Sequence, residues 1–161
     1  MSLVKLPIIL IFISLCGCTI ITKKNINSEV IPKVEKYSKY GNPKSYKVFG
    51  KRYYTKGTHI GYSEEGIASW YGKKFHGRLT SSRETYDMYK LTAAHKSLPI
   101  PCYARVTNLS NDKSVVVRIN DRGPFKKGRI IDLSYAAAKK LDIVLKGTAR
   151  VHVETIDARN N

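Results

Sequence analysis

The chain has 161 residues, the size of one domain, and its 42% hydrophobic content is enough to bury a core. Its 29 Lys and Arg outweigh 12 Asp and Glu for a formal net charge of +17, a balance that favours anionic partners: nucleic acid, lipid headgroups or acidic wall polymers. The four histidines fall in no pair with metal-ligand spacing and no C-x-x-C or H-E-x-x-H is present, so neither a metal nor another cofactor is expected.

Lys5 and the apolar run Leu6 to Leu15 read as the charged and hydrophobic regions of an export signal, too short to span a bilayer as a helix. The run ends in Leu15-Cys16-Gly17-Cys18, which resembles the lipobox of bacterial lipoproteins. Residues 1–17 are then a lipoprotein signal peptide and Cys18 the lipidated new N-terminus, anchored by acyl chains at about 0.8 kcal/mol per buried methylene. Cys16 leaves with the signal and Cys18 carries lipid, so no disulfide framework is expected and Cys102 reads as a small buried hydrophobe. Export also argues against a nucleic-acid partner. The expected location is the bacterial cell envelope, and Thr19 after the lipidated Cys lacks the Asp linked to inner-membrane retention, which favours an outer membrane facing the periplasm. Residues 18–38, rich in Lys, Asn, Ile and Ser, read as a tether without structure of its own.

Residues 39–158 carry the domain. From Lys39 to Gly61 a Tyr- and Lys-rich stretch is expected to wrap the fold as an extended arm. Gly66 to Gly72 reads as a strand leading into a polar surface loop, Lys73 to Arg83, with a turn at His76-Gly77. Leu91 to His95 is a short β segment. Tyr103 to Leu109 and Ser114 to Asn120 form a hairpin around Ser110-Asn111-Asp112-Lys113, and its second strand delivers Asp121 to the turn at Gly123-Pro124. Ile130 to Leu133 is a further strand, and Ser134 caps an Ala-rich helix from Tyr135 to Leu141. Thr148 to Ile156 alternates, with Ala149, Val151 and Val153 inward. Short strands, frequent turns and one small helix predict a compact β-barrel.

No Gly-rich phosphate loop and no G-x-S-x-G nucleophile signature occurs, which leaves carboxylate chemistry. Asp121 ends a rigid strand, where catalytic groups tend to sit, although Asp before Gly-Pro is equally an ordinary turn residue. Glu84, Asp87 and His95 also stand at element ends, and the ring of His95 reads equally as a satisfied core histidine. Trp70, Tyr71, Tyr86 and Phe125 near these acids suit a glycan, whose apolar sugar faces stack on rings while acids serve the glycosidic oxygen.

The motifs G-I-A-S-W-Y-G-K-K-F-H-G-R, E-T-Y-D-M-Y-K-L-T-A-A-H-K-S-L-P, V-T-N-L, V-R-I-N-D-R-G-P-F and R-I-I-D-L-S-Y-A-A-A closely resemble the rare lipoprotein A family, RlpA, from about Tyr40 to Ile156. The resemblance implies a mainly β fold, a six-stranded double-psi β-barrel with one or two short helices. It implies a lytic transglycosylase that cleaves the β-1,4 bond between N-acetylmuramic acid and N-acetylglucosamine in peptidoglycan, prefers strands without stem peptides and leaves 1,6-anhydro-muramyl ends. Its functional residues match Asp121 as acid/base, with Glu84, Asp87 and His95 as catalytic partners; Trp70, Tyr71, Tyr86, Arg122 and Phe125 are expected to bind substrate. For Asp121 to hold a proton its pKa must be raised, by burial or by a nearby carboxylate such as Glu84 or Asp87. Arg122 is expected to point away. Partners implied are peptidoglycan strands, the membrane through Cys18, and cell-division or envelope proteins. Two departures stand out: Ser82-Arg83 replaces the usual Asn-Gly before the Glu, and no SPOR domain is expected, so the resemblance does not extend to septal targeting. The rival expectation is a non-catalytic, expansin-like module that binds or remodels the wall.

Overall fold

The computed structural model describes residues 29–159; the signal peptide, the lipobox and Cys18 lie outside the described residues. Eight strands and one helix follow in order: β1 (Ser45–Val48), β2 (Lys51–Tyr54), β3 (Ser63–Trp70), β4 (Thr92–His95), β5 (Cys102–Asn108), β6 (Ser114–Asp121), β7 (Arg129–Leu133), α1 (Tyr135–Lys140) and β8 (Thr148–Ile156). The last six strands close a barrel in the order β3-β7-β4-β6-β5-β8. Within it β3 runs parallel to β7 and β4 parallel to β6, while the other pairs are antiparallel. This mixed closed barrel is the double-psi fold that the sequence resemblance implies, with α1 and a single 3-10 turn at Lys73–Phe75 as its helical elements among the described residues.

Alternation builds the interior. On β8, Val151 and Val153 are buried while Arg150, His152 and Glu154 face outward, as the period-2 pattern requires. β5 adds Cys102, Ala104 and Val106, and β6 adds Val115, Val117 and Ile119; each fully buried Val or Ile contributes roughly 1.5–3 kcal/mol relative to exposure. Cys102 is the expected buried free thiol, its pKa pushed up to about 12 by burial. Ser134 caps α1 by accepting from the Ala137 amide at 3.2 Å. The three alanines of α1 are buried against the barrel, where larger side chains would hold the helix off.

Two expectations are corrected. The Tyr-rich stretch is not an extended arm throughout but folds as the β1–β2 hairpin, register Ser45 to Tyr54, around a turn at Phe49 and Gly50 with φ of 47° and 75°. Two successive positive φ values match the right-handed twist of a two-residue hairpin, and Gly50 adopts one without steric penalty. The hairpin docks through aromatic rings, Tyr46 stacking on Tyr53 at 5.4 Å and Tyr53 meeting Phe125 at 5.4 Å. The stretch assigned to a tether up to Ser38 lies on the barrel from Val30. Val30 packs against the core, Glu35 pairs with Arg118 and Tyr103, and the Ser38 amide donates to the Ile100 carbonyl at 2.8 Å.

Candidate active site

Asp121 closes β6, and the chain then turns at Gly123, whose φ of 137° lies in a region that favours glycine. Three donors converge on one oxygen of its carboxylate: the Ser81 amide at 2.8 Å, the Ser81 hydroxyl at 2.7 Å and the Arg122 amide at 2.8 Å all donate to Oδ1. Oδ2 takes none of these, and the side chain lines a cleft of about 580 Å³. Hydrogen bonds to a charged acceptor contribute about 1.5–3 kcal/mol each, so the rotamer is tightly held. Ser81 arrives from the loop before Glu84, at a place where the sequence has Ser82-Arg83. Arg83 takes a left-handed φ of 68°, the conformation a glycine would adopt freely, and its amide still closes the turn onto the Thr80 carbonyl at 2.9 Å.

The cleft is walled by aromatic and aliphatic side chains, Tyr71, Phe75, Leu79, Tyr86, Pro124 and Phe125, with Phe49 at the hairpin tip. The rings of Tyr71 and Tyr86 lie 4.4 Å apart, and the Tyr86 hydroxyl donates to the Tyr71 carbonyl at 3.1 Å. Cationic Arg78 and Lys126 stand at its margin. Such a surface suits a carbohydrate: apolar faces stack on rings while polar groups at the edge meet hydroxyl and carboxylate groups.

A second carboxylate lines the same cleft, and sequence reasoning did not single it out. Asp132 of β7 accepts from the Ser69 hydroxyl at 2.6 Å, and Ser69 in turn accepts from Arg129 Nη1 at 2.5 Å. Burial pushes the Asp132 carboxyl above its ordinary range, although the Ser69 hydrogen bond and the charges of Arg129 and Lys96 pull it down. Its signal in the sequence was an acid between Ile131 and Leu133, both in the barrel core.

Glu84 and Asp87 line a different groove, with Glu35, Thr85, Lys90 and Arg118. Arg118 Nη1 donates to Glu84 Oε1 at 2.9 Å and Oε2 at 2.7 Å, and Asn120 Nδ2 donates to Oε2 at 2.9 Å. Partial burial would raise the Glu84 carboxyl, but the hydrogen bonds from Asn120 and Arg118 outweigh it and hold the group below its ordinary range. Asp87 accepts from the Tyr89 amide at 3.0 Å and lies 3.8 Å from His76 Nδ1. The carboxylate neighbour expected to help Asp121 keep a proton is therefore not Glu84 or Asp87 in this cleft; the acid that shares it is Asp132.

The ring of His95 is buried away from the cleft. Its Nδ1 accepts from the Ser97 and Leu98 amides at 3.2 and 3.0 Å, which leaves the proton on Nε2, 2.9 Å from the Tyr62 hydroxyl; that hydroxyl donates to Glu64. Burial first, then the charges of Arg122, Lys96 and Lys56, push its pKa down to about 3, so the ring is neutral. Arg122 points away from the Asp121 carboxylate as expected, donating to the carbonyls of Gly41, His95 and Leu98 and to Asn42 Oδ1. Those acceptors occupy its guanidinium in joining the segment before β1 to the barrel. Trp70 packs on Tyr135 of α1 at 5.7 Å and does not line the cleft, whereas Tyr71, Tyr86 and Phe125 do.

Comparison with known proteins places this geometry. The sequence family described as lytic transglycolase matches residues 63–153, from the start of β3 into β8. The chain is 60% identical over 125 residues to a Vibrio cholerae protein named endolytic peptidoglycan transglycosylase RlpA, covering 78% of this chain and 47% of that protein. It is 57% identical over 129 residues to the Pseudomonas aeruginosa protein of the same name, covering 80% of this chain and 37% of that one. The chain spans about half or less of the length of these curated relatives. Among solved structures, Streptomyces papain inhibitor superposes with a TM-score of 0.51 at 19% identity, over 62% of this chain and 99% of that one, a likeness of fold.

Proposed function

For a chain that belongs to the lytic transglycolase family, in its RlpA branch, we propose that it cleaves the β-1,4 bond between N-acetylmuramic acid and N-acetylglucosamine in peptidoglycan strands and leaves 1,6-anhydro-muramyl ends. One observation carries this reading: a carboxylate with one oxygen fixed by three donors, none of which reaches its other oxygen, stands in an aromatic-walled cleft. The reaction needs a proton delivered to the glycosidic oxygen and a proton taken from the muramic 6-hydroxyl. Because that hydroxyl attacks its own anomeric carbon, orientation replaces a second reactant, and no covalent enzyme intermediate is required. Strands lacking stem peptides expose the lactyl carboxylate of muramic acid, a group that Arg78 and Lys126 at the cleft margin suit electrostatically.

The proposed setting is the bacterial envelope, with lipid on Cys18 holding the domain to the outer membrane on its periplasmic side. The signal-like run, the Leu15-Cys16-Gly17-Cys18 sequence and the net charge of +17 support it. Metabolic labelling with a palmitate analogue, compared with Cys18→Ala, tests it: label retained in the variant refutes lipidation there.

The activity is tested by digesting purified glycan strands and reading the ends by mass spectrometry. Anhydro-muramyl ends confirm it, and reducing muramic ends would make the protein a hydrolase instead. A binding module without cleavage is favoured by one observation, that Glu84 and His95 are both committed to internal partners. Strands retained by the protein but left uncut would establish that alternative.

A further inference from the structure

Three adjacent strands bring two acids to one cleft. β4 lies between β6 and β7, and its Ala94 is the register partner of Asp121 on one side and of Asp132 on the other. With neighbouring strands about 4.8 Å apart, the two Asp Cα atoms stand roughly 10 Å from each other. The residue between them has only a methyl side chain, and it lines the same cleft. An acid on each side of a gap of this width can reach a single sugar linkage laid across it.

We propose that Asp132 is the general acid and base of the transglycosylase reaction, with Asp121 the fixed carboxylate that faces it across the scissile bond. The assignment rests on the function proposed above. Its support is a division of labour between the two environments. Asp121 has three donors on one oxygen, an arrangement that suits presenting negative charge to a sugar ring as positive charge develops at its anomeric carbon. Asp132 is half-buried, has one short hydrogen bond from Ser69, and is held above the ordinary carboxyl range by burial. The groups that face Asp132 are Ser69 from β3, Arg129 from its own strand, Lys96 just after β4, and Tyr71 and Asp121 across the cleft. Arg129 Nη2 is 3.5 Å from Asp132 Oδ2, a long contact that leaves this oxygen room to carry a proton.

The step balances without water or cofactor. The Asp132 proton passes to the glycosidic oxygen, the bond from that oxygen to the muramic anomeric carbon breaks, and the N-acetylglucosamine side leaves as an alcohol. The muramic 6-oxygen bonds to the same carbon, and its proton returns to the Asp132 carboxylate. Asp132 ends in the state in which it began.

The full-length chain in detergent, incubated with purified glycan strands, tests the assignment by the rate at which anhydro-muramyl ends appear. Asp132→Asn is expected to slow that rate roughly 100-fold or more while strands are still retained in a pull-down. Ser69→Ala gives a second readout. Its hydroxyl stabilises the Asp132 carboxylate, so removing it raises the pKa of the acid, and the alkaline limb of the pH–rate profile should move to higher pH. Should Asp132→Asn fail to fold, Ser69→Ala decides alone. Asp132→Asn within threefold of wild type, or an unmoved limb in Ser69→Ala, overturns the assignment and leaves the transglycosylase reading standing. A wild-type chain that forms no anhydro ends overturns both.

Discussion

Glu35 and Glu84, 49 positions apart in sequence, share the guanidinium of Arg118: Nη2 lies 2.9 Å from Glu35 Oε2 and Nη1 lies 2.7 Å from Glu84 Oε2. The segment before β1 is thus fastened to the loop that also supplies Ser81 to Asp121. Arg118 itself is half-enclosed, and removing one partner leaves its charge only partly compensated.

Glu35→Gln should lower stability by about 1–2 kcal/mol, as measured by denaturant unfolding at neutral pH. The Arg118 hydrogen bond, opposed by burial, holds the Glu35 carboxyl below its ordinary 4.5. A carboxyl depressed in the folded state contributes stability that is fully present above 4.5 and lost as pH falls through its folded value. The difference between wild type and Glu35→Gln should therefore shrink below about pH 4.5; a gap that persists in acid would show that the ion pair is not its source.

Asp121→Asn retains an Oδ1 acceptor for Ser81 and Arg122 but makes three charge-assisted hydrogen bonds neutral, so stability should fall by about 1–3 kcal/mol with the fold kept. Formation of anhydro-muramyl ends should nevertheless fall roughly 100-fold, because an amide presents no negative charge to the developing cation. Full activity in this variant would remove Asp121 from the chemistry.

His95→Ala should act on folding. The substitution leaves the Ser97 and Leu98 amides without their acceptor in a buried setting, at a cost of about 2–4 kcal/mol for the two together. The same ring makes wild-type stability depend on pH. Its pKa falls from 6.5 to about 3 on folding, so the unfolded chain binds its proton first and stability declines as pH drops from about 6.5 towards 3. Thermal melts across this range should show a flatter decline in His95→Ala than in wild type.

Phe125→Ala should weaken glycan binding. Phe125 lines the cleft and holds the β1–β2 hairpin through Tyr53 and Tyr46, at 5.4 and 6.2 Å between rings. Loss of one stacking surface is worth about 1–1.5 kcal/mol, so KM for glycan strands should rise roughly tenfold with a smaller effect on kcat. An unchanged KM would place the sugar elsewhere.

Gly41→Ala should disturb fold and site together. Gly41 has a φ of 79°, and an added Cβ would stand 2.5 Å from Ile100 Cδ1 and 2.8 Å from the Ser81 carbonyl oxygen. Relieving that overlap means moving the residue that donates twice to Asp121, so we expect about 2–4 kcal/mol of destabilisation and a lower rate in the protein that remains folded. Crystallographic comparison of the Ser81 position in the variant checks the coupling.

Local pattern alone determined much of the architecture. Alternation marked β5, β6 and β8, Ser134 marked the start of α1, and the apolar run ending at Gly-Pro placed Asp121 at the end of a strand. Those signals are short-range, carried by side-chain period and turn chemistry within a few residues. The sequence also named three aromatic residues that do wall the cleft, Tyr71, Tyr86 and Phe125. Which acids face one another was beyond its reach. Period 2 says which face of a strand a side chain occupies but not which strands are neighbours. The insertion of β4 between β6 and β7 brings Asp132 opposite Asp121 across Ala94, and the partners of Arg118 and His95 turn Glu84 and the imidazole to internal contacts. Barrel closure decided the site, because parallel pairing joins segments distant in sequence through a register that no single segment encodes.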